Sequence, residues 1–90
     1  MINKLSFSDK AWNDYLYFME NDKKIFKKIN ALIKDIKRSP FDGIGKPEPL
    51  RFGLNGKWSR RITDEHRIVY IANEDEDEIE IIECRYHYEK

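Results

Sequence analysis

Six side chains that could move protons or bind phosphate lie in the second half of this 90-residue chain. They are Glu48, Arg51, Arg61, Arg67, His87 and Tyr88. A carboxylate can accept a proton from an attacking hydroxyl, arginine can stabilise charge on phosphate, and histidine can protonate a leaving oxygen. Together they meet the needs of RNA cleavage by internal transesterification, in which the ribose 2′-hydroxyl attacks the neighbouring phosphate.

The carboxylate candidate lies in the segment Lys46-Pro47-Glu48-Pro49. Each proline fixes its own φ and favours an extended conformation for the residue before it, so the backbone of Glu48 is restricted. A rigidly held carboxylate suits a general base, although a solvent-facing glutamate in a proline-rich turn has the same pattern. The surrounding residues 40–56 hold three prolines and four glycines, which predicts little regular structure there.

Residues 57–70 read as a β-hairpin, because β-branched and aromatic residues flank a polar Asp64-Glu65 turn. This hairpin contains Arg60, Arg61 and Arg67, more arginines than a purely structural strand needs. A two- or four-residue loop would place the side chains of Arg61 and Arg67 on opposite faces, whereas a three-residue loop would place them together. We expect the three-residue loop, because two adjacent guanidiniums would make a phosphate site.

The segment Arg85-Tyr86-His87-Tyr88 lies close to the end of the sequence, where residues usually fray. We expect it to be anchored to the sheet or used in chemistry. Cys84 lies in an alternating strand and is predicted to be a small buried hydrophobe rather than a nucleophile. His66, His87 and Cys84 do not have metal-ligand spacing, and no carboxylate pair is set out for Mg²⁺, so no metal or other cofactor is predicted.

Two helices are predicted to support these groups. Ser8 is a good N-cap for a first helix that ends near Glu20, with Ala11, Trp12, Tyr15, Leu16 and Met19 at helical spacing. Asn21-Asp22 breaks the chain, and a second helix up to Ser39-Pro40 carries an apolar stripe from Ile25 to Ile36. Its lysine-rich side is either a solvated face or a surface for RNA phosphates. Trp12, Trp58 and Tyr70 are candidates for the core.

Formal net charge is zero, but five acidic residues are concentrated in residues 74–78 and the remaining 85 residues carry +5. A neutral total is therefore compatible with a basic face that binds RNA. The acidic cluster is predicted to be a hairpin loop. No apolar run is long enough to span a bilayer and residues 1–7 do not resemble a signal peptide, so we expect a cytoplasmic protein with no membrane partner.

The strand candidates are residues 2–7, 57–63, 66–72 and 78–86. The last three predict an antiparallel meander. The sequence therefore predicts an α+β fold, in which a two-helix hairpin packs on a small, mainly antiparallel, twisted β-sheet. Residues 1–90 are expected to form a single domain.

The chain also resembles the YoeB-type toxins of the RelE/ParE superfamily of bacterial toxin–antitoxin systems. The resemblance covers nearly the whole length and is carried by the segments Ala11-Trp12-Asn13-Asp14-Tyr15-Leu16, Lys27-Lys28-Ile29-Asn30, Gly45-Lys46-Pro47-Glu48-Pro49-Leu50, Trp58-Ser59-Arg60-Arg61-Ile62, Glu65-His66-Arg67-Ile68-Val69-Tyr70 and Cys84-Arg85-Tyr86-His87-Tyr88. It implies a RelE-like microbial RNase fold. It also implies an endoribonuclease that cuts mRNA in the ribosomal A site and is silenced by a YefM-like antitoxin, and it allows a homodimer.

The resemblance assigns roles to individual residues. Glu48 matches the general base, Arg67 the phosphate-stabilising arginine, His87 the general acid and Tyr88 the catalytic tyrosine. Substrate binding falls on Lys46, Arg51 and Arg61. Arg51 stands where a close relative would carry lysine, and Glu89-Lys90 extends past the tyrosine at which such toxins can end; we expect activity to survive both departures.

Two other functions fit the same fold. One is a toxin that binds and inhibits a target such as DNA gyrase without cutting RNA, and the other is an inert module whose arginines receive an acidic peptide. Neither needs Glu48, Arg67 and His87 together, so their joint presence favours the endoribonuclease.

Overall fold

The structure is a computed structural model that describes residues 1–50 and 56–86. Two helices and five strands lie in these ranges, and in chain order they are β1 (Lys4–Phe7), α1 (Asp9–Asn21), α2 (Lys23–Arg38), β2 (Glu48–Pro49), β3 (Lys57–Arg61), β4 (Arg67–Asn73) and β5 (Glu78–Glu83). The predicted α+β architecture of a helical hairpin on a mainly antiparallel sheet is confirmed.

Side-chain caps set the starts of both helices, as the sequence predicts. The Ser8 hydroxyl oxygen accepts a hydrogen bond from the Ala11 amide at 3.0 Å, and Asp22 accepts one from the Ile25 amide at 3.1 Å. Ser8 also donates to the carbonyl of Ile82 at 2.6 Å, which ties the start of α1 to β5.

The five strands form one sheet in the order β1-β5-β4-β3-β2. Three neighbouring pairs are antiparallel, and β1 pairs with β5 in parallel, with Leu5 opposite Ile79. The first four residues of the acidic cluster form the turn between β4 and β5, as predicted, and Glu78 begins β5. The Asp77 carbonyl accepts the amide of Lys4 at 3.0 Å, so the turn also holds the start of β1.

The core lies between α2 and the sheet. Buried side chains of the predicted apolar stripe of α2 pack against buried side chains of β4 and β5. On α2 they are Ile29, Leu32, Ile33 and Ile36, and on the two strands they are Ile68, Tyr70, Ile79 and Ile81. Cys84 is fully buried beside this cluster, as predicted. Among the described residues, no helix is long and apolar enough to cross a membrane.

The face that α1 buries differs from the prediction. Trp12 and Met19 are 48% and 41% exposed, whereas Phe18 and Asp14 are almost fully buried. Asp14 takes a core position because its carboxylate accepts the Cys84 amide at 3.0 Å and the Lys10 ammonium group at 3.0 Å. A buried carboxylate with these partners is satisfied, so Asp14 can occupy a position on the buried side of α1.

Arg60 was counted among three hairpin arginines that a purely structural strand would not need, but its role in the structure is structural. Its side chain is fully buried and points to the core face of β3. It donates to the carboxylate of Asp35, to the hydroxyl of Tyr70 and to three loop carbonyls, those of Ser39, Asp42 and Ile44. Arg60 therefore fixes the loop that follows α2.

The same loop is held at two further points. The Tyr70 hydroxyl donates to the Pro40 carbonyl at 2.6 Å, and the Arg61 amide donates to the Gly45 carbonyl at 2.7 Å. Gly45 has φ +80°, and a β-carbon there would lie 2.7 Å from the side chain of Leu32. Only glycine fits this close approach, which delivers the chain to β2.

Candidate active site

Glu48 is placed by a short strand that the sequence did not predict. Residues 48 and 49 form β2, which pairs antiparallel with β3 so that Glu48 lies opposite Ser59. Leu50 continues the contact by donating its amide to the carbonyl of Lys57 at 2.9 Å. Pairing on one side and two flanking prolines together fix the backbone from which the carboxylate projects.

Strand register brings four side chains to one face of the sheet. Residues opposite each other in an antiparallel pair point to the same side, and Arg61 lies opposite Arg67 as Glu48 lies opposite Ser59. The alternate residues of β3 and β4, including Arg60 and Ile68, point to the core. We call the side that carries Glu48, Ser59, Arg61 and Arg67 the distal face.

Arg67 and Glu48 are in contact on the distal face. Nη1 of Arg67 lies 3.3 Å from Oε2 of Glu48 and 3.4 Å from the hydroxyl of Ser59. The Glu48 side chain is 58% exposed and that of Arg67 is 21% exposed, so a ligand can reach both. Among the described residues, both side-chain hydrogen bonds of Arg67 use Nη1, and a guanidinium has further N–H groups with which to bind phosphate oxygens.

The predicted three-residue turn is confirmed. The Ile62 amide donates to the His66 carbonyl at 2.9 Å, and Thr63 to Glu65 form the loop between them. The Thr63 hydroxyl accepts the amides of Glu65 and His66, which tightens the turn. Arg61 therefore lies opposite Arg67, although its guanidinium is 45% exposed and lies 3.6 Å from Asp64.

The other predicted site residues have different outcomes. Lys46 is exposed and has a left-handed backbone with φ 52°, directly before the proline segment. Arg51, His87 and Tyr88 lie outside the described residues. The carbonyl of Tyr86, the residue before His87, accepts a hydrogen bond from the Arg67 amide at 3.1 Å. The described part of the C-terminal segment is therefore anchored beside Arg67.

Two neighbours of the site were missed by sequence reasoning. Ser59 is 1% exposed and supports Arg67, and its position opposite Glu48 depends on a strand only two residues long. Trp58, Arg60 and Ile62 are spaced two residues apart, so in a strand all three side chains point to the same face, here the core face. That spacing was the available signal for the structural role of Arg60.

The thiol of Cys84 lies in the hydrophobic core, where it is a poor nucleophile. Burial raises the pKa of Cys84 to about 12, and the nearby carboxylate of Asp14 adds to the effect. Its Sγ lies 3.8 Å from the Ala11 carbonyl in the core. Within residues 1–50 and 56–86, no three His, Cys, Asp or Glu side chains are grouped to hold a metal ion.

The distal face thus combines a positioned carboxylate with an accessible guanidinium. The carboxylate can accept a proton, and the guanidinium can bind a phosphate and stabilise charge that develops on it. A proton donor for a leaving group is not among these four side chains. The predicted donor, His87, follows the anchored Tyr86 in the sequence.

Comparison with known proteins points to one group. Residues 7–88 match the family described as YoeB-like toxin of bacterial type II toxin-antitoxin system. The chain is 59% identical over 85 residues to Toxin YoeB of Escherichia coli strain K12, covering 94% of this chain and 99% of that protein.

Solved structures agree with this match. The YoeB/ParE toxin from Agrobacterium tumefaciens superposes with a TM-score of 0.91 at 46% identity, over 96% of this chain and all of that one. The YoeB dimer from Staphylococcus aureus gives 0.89 at 48% identity, over 98% and 100%. A YoeB–YefM complex from the same organism gives 0.85 at 48% identity, over 98% and 99%.

Proposed function

Because the chain belongs to the YoeB-like toxins of bacterial type II toxin–antitoxin systems, we propose that it is a metal-independent endoribonuclease that cleaves mRNA in the ribosomal A site. Residues 1–90 act as one toxin domain in the cytoplasm, where translation takes place. Cleavage of messages on the ribosome inhibits translation.

The observation that carries this proposal is the pairing of Glu48 with Arg67 at 3.3 Å on the distal face. Glu48 comes from a proline-fixed strand and Arg67 from the adjoining hairpin, so the sheet itself sets the distance between them. A carboxylate and a guanidinium at this separation can contact the 2′-hydroxyl and the phosphate of the same nucleotide. Neither inhibition of gyrase nor peptide binding calls for that arrangement.

The reaction is an internal transesterification. Glu48 takes the proton of the ribose 2′-hydroxyl as the 2′-oxygen bonds to phosphorus, and Arg67 stabilises the charge that builds on the phosphate oxygens. The bond from phosphorus to the 5′-oxygen breaks, and His87 gives that oxygen a proton. The products are a 2′,3′-cyclic phosphate and a 5′-hydroxyl, and Tyr88 assists at the same centre.

Substrate binding uses the cations around this centre. Lys46 precedes the base, Arg61 lies opposite Arg67, and Arg51 follows β2 in the sequence. Positive charge at these positions neutralises RNA phosphates irrespective of the bases, while the ribosome presents the message.

The test is cleavage of a defined mRNA on translating ribosomes. Wild-type protein should cut within the A-site codon, and Glu48→Gln and His87→Ala should each lower the single-turnover rate by about 100- to 10,000-fold. Glu76→Gln is the matched control, because it removes an exposed carboxylate from the β4–β5 turn at the opposite end of β4 from Arg67. Intact message with the wild-type protein would refute the function, and unimpaired variants would refute the site.

The proposed protein partner is a YefM-like antitoxin. The Staphylococcus aureus relative forms a YoeB–YefM complex and is also known as a dimer. We extend both associations to this chain: an antitoxin segment covers the active site, and the toxin can pair with a second copy.

A further inference from the structure

His66 is a buried imidazole that the proposed mechanism does not use. Its side chain is 8% exposed and packs edge-on against Phe18, with ring centres 5.0 Å apart. The centre of the ring also lies 5.5 Å from the centre of the Tyr86 ring. His66 therefore sits between α1 and the C-terminal segment.

The hydrogen bond of this imidazole selects one of its chemical forms. Nδ1 accepts the backbone amide of Tyr86 at 2.7 Å, so Nδ1 carries no proton. Nε2 is then the protonated nitrogen of the neutral ring, and it lies 3.6 Å from the carboxylate of Glu65. The ring thus works as an acceptor aimed at a single main-chain amide.

The main chain of Tyr86 is held from both sides. Its amide bonds to His66, and its carbonyl accepts the amide of Arg67 at 3.1 Å, so two consecutive residues of the hairpin clamp one peptide segment. Tyr86 has φ 68°, a left-handed conformation that non-glycine residues adopt only when their surroundings impose it. Both hydrogen bonds supply that constraint.

We propose that His66 is a positioning residue that places His87 for proton transfer to the 5′-oxygen; this rests on the proposed function. His87 is the next residue after Tyr86, and consecutive Cα atoms are about 3.8 Å apart, so the clamp on Tyr86 fixes the point from which His87 departs. One end of the clamp is the backbone of Arg67, which binds the phosphate. The clamp therefore fixes Tyr86, the residue before the proposed proton donor, against the backbone of Arg67.

Two substitutions of His66 separate its role as a hydrogen-bond acceptor from its packing against Phe18. His66→Phe keeps a ring against Phe18 and removes the acceptor, while His66→Asn keeps an acceptor near the position of Nδ1. Because misplacement by about 1 Å can cost on the order of 100-fold in rate, we expect the Phe variant to lose about 10- to 100-fold in single-turnover cleavage at saturating toxin. The Asn variant should recover most of that loss, and the toxin concentration at half-maximal rate should stay unchanged in both.

A double-mutant cycle tests the route of the effect. In a His87→Ala background, His66→Phe should cause no further loss, because the residue it positions is gone. Equal rates for His66→Phe and wild type, equal losses in the Phe and Asn variants, or full additivity with His87→Ala would each overturn the proposal.

Two further measurements test the clamp without relying on RNA cleavage. Hydrogen exchange at the Tyr86 amide should be slow in wild type and His66→Asn and fast in His66→Phe, with His66→Leu replacing the Phe variant if that protein does not fold. In the wild type, the ¹⁵N shift of His66 should show Nδ1 unprotonated, and a protonated Nδ1 would contradict the clamp. Absence of cleavage by the wild type would refute the endoribonuclease function while these measurements still decide whether the clamp exists.

Discussion

Arg67 is held on the distal face by its contacts with Glu48 and Ser59 and by its backbone bond to Tyr86. Arg61 lies opposite it in the register but has a more exposed side chain and lies close to Asp64. Two neighbouring arginines of the same hairpin are thus in different environments. We expect Arg67 to act on the reacting phosphate and Arg61 to act in binding.

Substitution by lysine should separate these roles, since lysine keeps the charge but loses the planar fork of donors. Arg67→Lys is expected to lower the cleavage rate at saturating toxin by about 100-fold. Arg61→Lys should change that rate less than about 10-fold and act mainly on the concentration at half-maximal rate. Single-turnover cleavage at varied toxin concentration measures both quantities, and equal rate losses in the two variants would contradict the assignment.

Cys84 should be inert in the folded protein. With a pKa raised to about 12 by burial, only roughly one thiol in ten thousand is ionised at pH 8. We expect iodoacetamide to label Cys84 slowly in native protein and quickly in urea, and Cys84→Ala to retain RNA cleavage. Equal labelling rates in buffer and in urea would show that the thiol is accessible.

The loop from Ser39 to Gly45 connects the helical hairpin to the segment that leads to β2, the strand that carries Glu48. This loop lies outside the helices and strands. Arg60 donates hydrogen bonds to three of its carbonyls, and Asp35 accepts the amide of Ile44 at 2.9 Å. Removal of one partner would leave buried groups unsatisfied. The position of Glu48 therefore depends on a polar network on the other side of the sheet.

The stability that Asp35 contributes should depend on pH. Hydrogen bonds from Arg38, from the Ile44 amide and from Arg60 lower the pKa of Asp35 to about 2. A carboxyl group whose folded pKa is lowered stabilises the protein above its unfolded pKa, near 3.9, and loses that contribution as pH falls through the folded pKa. Asp35→Asn should therefore lower the free energy of unfolding by about 1–3 kcal/mol at pH 7, and the difference from wild type should shrink between about pH 4 and pH 2.

Urea unfolding at several pH values measures this difference. Asp75→Asn, in the exposed β4–β5 turn, is the control and should unfold like wild type at pH 7. A difference for Asp35→Asn that stays constant down to pH 2 would exclude the ionised network.

Across the whole molecule, local signals predicted the elements well. Ser8 and Asp22 correctly predicted where the two helices start, and the apolar stripe of α2 predicted the residues that this helix buries in the core. The prediction that Arg61 lies opposite Arg67 was also correct. Hydropathy did not decide between a two-, three- or four-residue loop, and the three-residue loop was chosen only because it would create a phosphate site.

Other features depend on contacts that are distant in sequence. Asp14 is buried on α1, and its carboxylate accepts an amide 70 residues away, a contact that no pattern within α1 reveals. Arg60 is buried because loop carbonyls converge on it, and β2 exists because β3 lies beside it. The sequence grouped Glu48 and Arg67 by their chemistry, and the resemblance gave them roles. Their contact was not predicted, because it depends on β2 pairing with β3 and β3 with β4.

Function in the cell should follow the assembled site. We expect induction of the wild-type chain to arrest growth, and co-expression of a YefM-like antitoxin to relieve the arrest. His87→Ala should abolish toxicity while antitoxin binding, measured by co-purification, persists. Continued toxicity of His87→Ala would point to a target other than the message.

The central claim is that the ribose 2′-hydroxyl is the nucleophile. The most direct measurement uses translating ribosomes programmed with a message that carries a single 2′-deoxynucleotide at the cleaved position. We predict that the natural message is cut to a 2′,3′-cyclic phosphate and a 5′-hydroxyl and that the substituted message stays intact at that position. Cleavage of the 2′-deoxy message at the same bond, or a 5′-phosphate on the product, would contradict the account.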